Sequence, residues 1–150
     1  MTKLYLEDFT PGRTFTSDNR IVVDAASIKA YAAQFDPQPF HLDEAAAERS
    51  FFKGLAASGW HTMSMTMRLL VDGGLPIAGG IVGAGSDELR WPRPTRPGDT
   101  LRVQSEVLEA RASKSRPDQG LIRVRITTLN QNDEPVLTLI GNLVVPRRQV

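Results

Sequence analysis

The chain has 150 residues, 41% hydrophobic and 23% charged, with a formal net charge of +1 at pH 7. These values predict one globular domain over residues 1–150 and argue against a disordered chain. The net charge argues neither for nor against a polyanionic partner; the arginines are scattered without aromatic stacking platforms, so no nucleic-acid partner is expected. With no cysteine, neither a disulfide framework nor a thiolate nucleophile is available. No charged leader and no apolar run of membrane-spanning length is present, so no membrane partner is expected and the cytoplasm is the expected location.

Residues 1–23 read as short extended segments around the turn Pro11-Gly12, with Ile21-Val22-Val23 closing a strand. Asp24 stands at a helix N-cap position, and Ile28, Tyr31, Ala32 and Phe35 follow at helical spacing as one apolar face. That helix stops at Asp36, because a residue preceding proline is pushed out of the helical region. Pro39 fixes φ again two residues later. The segment from Asp36 to His41 is therefore a stiff bend that holds a carboxylate and an imidazole five positions apart. A small helix is expected from Asp43 through Phe51, ended by Gly54.

The stretch 57–74 predicts the longest helix, over residues 59–72, with Ser58 as cap and Gly73-Gly74 as its end. Trp60, Met63, Met67, Leu70 and Val71 form its apolar stripe, expected to pack into the core. Strands follow at 81–91, 101–107, around 122–126 and at 135–145. The connection 92–100 is rich in proline and 111–120 is read as a loop. The last strand is apolar on both faces, which predicts cover on both sides, by the helix and by a partner subunit. The expected fold class is α+β, an antiparallel sheet wrapped around one long helix.

The run Asp36-Pro37-Gln38-Pro39-Phe40-His41, followed by Ala57-Ser58-Gly59-Trp60, resembles the MaoC-like hydratases and dehydratases. These include the (R)-specific enoyl-CoA hydratases and have the hot-dog fold. The later 86-SDELRWPRPTRPGDTLRV-103 is similar to the strand and turn after that family's central helix. The resemblance implies that Asp36 and His41 are the catalytic pair, and that the backbone N–H of Gly59 polarises a thioester carbonyl. It also implies substrate contacts at Gln38, Phe40, Ser58 and Trp60. The chain departs from the family pattern at Phe35, where glycine is usual, at Gln38, where asparagine is usual, at Ser58, often histidine, and at Met67, a serine in some hydratases.

Hydration of a trans-2-enoyl thioester to the (R)-3-hydroxyacyl form needs a base for the water proton, an acid for C2 and a donor for the enolate oxygen. An Asp–His pair and a helix N-terminal amide supply all three. No metal is suggested by two histidines 20 positions apart, and no cofactor is expected beyond the coenzyme A or acyl carrier portion of the substrate. Taken singly, Asp36 could cap a turn, His41 and His61 could be satisfied packing residues, and Ser58 could be a plain N-cap. Arg90, Arg93 and Arg96 could meet coenzyme A phosphates or simply be solvated. A hot-dog thioesterase and a non-catalytic acyl-thioester-binding subunit are the competing readings. A homodimer or dimer of dimers is the expected assembly.

Overall fold

The computed structural model describes residues 2–149. Its elements are β1 (Thr14–Thr16), β2 (Ile21–Val22), α1 (Ala25–Phe35), α2 (Pro39–Leu42), α3 (Glu44–Glu48), α4 (Gly59–Leu69), β3 (Val82–Arg90), β4 (Thr100–Ala112), β5 (Gln119–Leu129) and β6 (Pro135–Pro146). The sheet order is β1-β4-β5-β6-β3, with β2 also on β4, and all these pairings are antiparallel. The alternation of Leu101, Val103, Ser105 and Val107 turns one face of β4 inward, and Ile122, Val124 and Ile126 do the same for β5. Helix α4 lies against β4 and β6. Met65, Leu69 and Leu70 join the strand residues in the core. This is the hot-dog arrangement.

The buried face of α4 differs from the expected stripe. Trp60, Met67 and Val71 are exposed, whereas His61, Thr62, Met65, Thr66 and Leu69 are buried. Threonine enters this core because its hydroxyl has partners there. Thr66 Oγ1 lies 2.8 Å from Thr62 O and 2.6 Å from Thr128 Oγ1, and Thr62 Oγ1 lies 3.0 Å from Thr95 Oγ1. A buried hydroxyl with partners avoids the desolvation penalty that would otherwise keep it outside. His61 packs as a ring, stacked on Tyr31 with centroids 4.5 Å apart. Burial lowers its pKa, against a weaker opposing pull from Asp24.

Other expectations shift at their boundaries. Phe35 is exposed, so the apolar face of α1 reduces to Ile28 and Ala32 with Tyr31 half-buried. Helix α3 ends at Glu48, short of Phe51. The expected 111–120 loop is strand at both ends and shortens to 113–118, because Arg111 and Ala112 pair with Leu121 and Gly120. Helix α4 closes in a wide turn over Leu70–Gly74, where Leu75 N–H donates to Leu70 O at 3.0 Å. Gly74 cannot carry a side chain, since a Cβ there would lie 2.4 Å from Val103 Cγ1. Along β6, Leu137, Leu139, Leu143 and Val145 are buried and the alternate residues are half-buried. Among the described residues, no helix is long and apolar enough to cross a membrane.

Leu69 is fully buried at the contact of α4 with the sheet. Leu69→Ala is expected to lower the unfolding free energy in urea by about 2–5 kcal/mol. A loss below about 1 kcal/mol would place that helix face outside the core.

Candidate active site

Helix α1 begins where the Asp24 carboxylate accepts the Ser27 N–H at 2.7 Å. It ends at Asp36, whose N–H still donates to Ala32 O at 2.8 Å while Pro37 prevents continuation. Gln38 N–H then closes back onto Asp36 O at 2.7 Å. Pro39 does more than stiffen a bend, because it is the first residue of α2, where proline costs no hydrogen bond. His41 therefore stands on a short helix, not in a loop, and is only 4% exposed.

His41 Nε2 lies 3.4 Å from Asp36 Oδ2. Its Nδ1 lies 2.6 Å from Ala56 O. A carbonyl can only accept, so Nδ1 carries the proton in that contact and Nε2 is the nitrogen turned to the carboxylate. Phe40 meets the imidazole edge-on at 4.6 Å, and Phe52 lies 6.0 Å away. Gln38 Nε2 donates to Asp36 Oδ1 at 2.5 Å. Burial works to raise the Asp36 pKa, but the Ser58 hydroxyl, the Gln38 amide and the His41 charge together hold it below the ordinary value.

Ser58 caps α4, its Oγ accepting the Trp60 N–H at 3.2 Å. The same hydroxyl is one of the groups that lower the Asp36 pKa. Gly59 is the first residue of α4, and its N–H has no acceptor among the described residues. Asp36, Gln38, Phe40, His41, Gly59 and Trp60 all line one cleft of about 570 Å³. Ser58, expected as a substrate contact, is instead completely buried and lies outside that lining, where it serves the helix start and the carboxylate.

The same cleft holds residues that sequence reasoning missed. Trp91, Thr62, Thr95, Phe51 and Phe52 all line it. The available signal for Trp91 was an aromatic residue immediately before a proline-rich segment. The threonines gave none, being ordinary helix and loop residues by spacing. Of the three arginines, Arg96 donates to the carbonyls of Phe52, Gly54 and Leu55 and so ties down the 52–55 loop. Arg93 lines the cleft and is paired with Glu134 at 2.7 Å, while Arg90 lies 3.9 Å from Glu88. Among the described residues, no three histidine, aspartate or glutamate side chains are grouped as a metal would need.

The sheet thus wraps a helix whose first residue, Gly59, lines one cleft with the Asp36 carboxylate and the His41 imidazole. The sequence profile described as "MaoC like domain" matches residues 8–129, and the chain belongs to that family. The crystal structure of the MaoC-like dehydratase from Rhodospirillum rubrum is similar at TM-score 0.94 and 56% identity, over 98% of this chain and 99% of that one. The uncharacterized protein YdeM of Bacillus subtilis (strain 168) is 30% identical over 131 residues, 87% of this chain and 91% of its own length. Mesaconyl-CoA hydratase of Cereibacter sphaeroides is 37% identical over 68 residues, which are 45% of this chain and 20% of that protein.

A carboxyl held below its unfolded value, about 3.9, stabilises the fold above that pH. That contribution is lost as pH falls through the folded value. Ser58→Ala removes one of the groups holding Asp36 ionised, so the Asp36 titration midpoint, followed by carboxyl ¹³C NMR, should move up. An unmoved midpoint would show that the hydroxyl does not act on the carboxylate.

Proposed function

We propose that this chain reversibly adds water to a trans-2-enoyl thioester, with coenzyme A as the expected carrier, giving the (R)-3-hydroxyacyl thioester. The observation that carries the reading is the 3.4 Å approach of His41 Nε2 to Asp36 Oδ2 in a cleft that Gly59, the first residue of α4, also lines. Membership of the MaoC-like family supports it, as does the similarity to a protein named as a mesaconyl-CoA hydratase.

In this reading the pair enters the cycle with Asp36 ionised and its single proton on His41 Nε2. A water held by both groups gives a proton to Asp36 as its oxygen bonds to C3. The C2–C3 π electrons move toward C1, and charge gathers on the thioester oxygen, which the Gly59 N–H and the α4 dipole stabilise. The imidazolium then protonates C2 and the carbonyl re-forms. Asp36 returns its proton to Nε2 across the 3.4 Å contact, and the net change is one water added. Each proton transfer is worth roughly 10²–10⁴-fold in rate. The Gly59 donor contributes on the order of 3 kcal/mol. No cofactor takes part in these steps.

The functional unit is proposed to be a homodimer. Trp60 and Met67 on α4, Val71 in the wide turn that follows it and Val82 at the start of edge strand β3 are all exposed. Among the described strands β3 pairs only with β6, so its other edge is open to a second copy. The cleft mouth at Trp60 adjoins this surface.

With crotonyl-CoA, Asp36→Asn and His41→Asn should each lower kcat/KM by at least roughly 10²-fold, followed as loss of enoyl absorbance. The asparagine at 41 keeps a donor for Ala56 O, so the melting temperature should stay near wild type. Full turnover in both variants would remove the pair from the reaction, and thiol release by the wild type would indicate a thioesterase. In sedimentation at micromolar concentration the wild type should run as a dimer and Val71→Glu as a lighter species; a monomeric wild type would contradict the assembly.

A further inference from the structure

Trp91 follows the last residue of β3 and precedes Pro92 and Pro94, which carry the chain along the cleft wall. Its indole Nε1–H donates to Gly59 O at 2.9 Å. The same ring fills the space a side chain at residue 59 would need. A Cβ built there would lie 2.7 Å from Trp91 Cε2, 2.9 Å from Nε1 and 3.0 Å from Cζ2. Gly59 lies within an ordinary α-helix, so its backbone does not demand glycine. The indole does.

We infer that Trp91 is a positioning residue for the reaction: it closes the β3 side of the first turn of α4 and restricts approach to the Gly59 N–H to the open cleft. The inference rests on the role assigned to Gly59 above. Two contacts hold that turn from opposite sides of one peptide unit. Ser58 Oγ takes the Trp60 N–H and Trp91 takes the Gly59 carbonyl. Trp60 meets Trp91 edge-on at 5.3 Å and extends the wall outward. With the turn fixed before substrate arrives, the amide need not reorganise as charge develops on the thioester oxygen. Trp91 is 39% exposed, so the fold does not depend on burying it.

Trp60 and Trp91 are the chain's only tryptophans, and both line the cleft. Intrinsic emission therefore reports occupancy independently of turnover. The test compares Trp91→Phe, which keeps a ring and loses the donor, with Trp91→Ala, Gly59→Ala and the Gly59→Ala/Trp91→Ala double variant. Crotonyl-CoA is the probe throughout. Both Trp91 variants should lose kcat by roughly 10- to 100-fold, with Kd from the remaining Trp60 emission changed less than kcat and melting temperatures near wild type. Gly59→Ala should lose more, and the double variant should recover part of that loss because room for the methyl group returns. Wild-type kcat in Trp91→Ala, or losses in the double variant that simply multiply, would overturn the inference while leaving the hydratase reading intact. If the wild type itself neither turns over crotonyl-CoA nor changes emission on adding it, the hydratase reading fails and the inference falls with it.

Discussion

The buried His41 imidazole commits Nδ1 to the Ala56 carbonyl at 2.6 Å. That bond fixes which nitrogen faces the carboxylate, and the rest of the site is arranged around the result. It also ties α2 to the segment leading into α4. Ala56 N–H reaches back to Phe40 O at 3.3 Å, and Ala57 N–H donates to Thr95 O at 2.9 Å. The imidazole, the helix start and the proline-rich wall are thus held through one short strip of backbone. A shift in any of them would change the distance from Nε2 to Asp36.

The core explains why the strip stays in place. Leu69 and Leu70 anchor one end of α4 on the sheet, leaving its N-terminus as the end that meets the cleft. Between the two ends the buried face includes Thr62 and Thr66, whose hydroxyls bond to Thr95 and Thr128 and to helix carbonyls. Directional contacts of this kind set a helix rotation more sharply than apolar contact alone. Arg96 adds a further brace by gathering the carbonyls of the 52–55 loop beneath the cleft.

Sequence made some of this legible for physical reasons. Asp24 announced a helix start because its carboxylate caps it, and Pro37 announced the end because it forbids continuation. The alternation in β4 and β5 announced an antiparallel sheet, since a two-residue period has few other meanings. The pairing of Asp36 with His41 came from the family resemblance and the two prolines, and the structure brings both into one cleft. The rotation of α4 was illegible. A stripe of tryptophan, methionine and valine reads as a core face, and nothing in one sequence says that threonines inside will find partners 33 and 62 residues away. Trp91 was missed for the same reason, because its contact with Gly59 joins residues separated by 32 positions. Ser58 was placed correctly as a cap, but its burial against Asp36 depends on tertiary packing.

In the proposed reaction Asp36 and His41, 3.4 Å apart, would reach a planar enoyl group from one side only. That geometry makes a stereochemical demand that no loss-of-function variant tests. Crotonyl-CoA hydrated in D₂O should give (R)-3-hydroxybutyryl-CoA with deuterium at C2 and oxygen at C3 added to the same face, read from the proton coupling between C2 and C3. Addition to opposite faces would contradict the joint action of Asp36 and His41, and a product of (S) configuration would contradict the proposed (R) outcome.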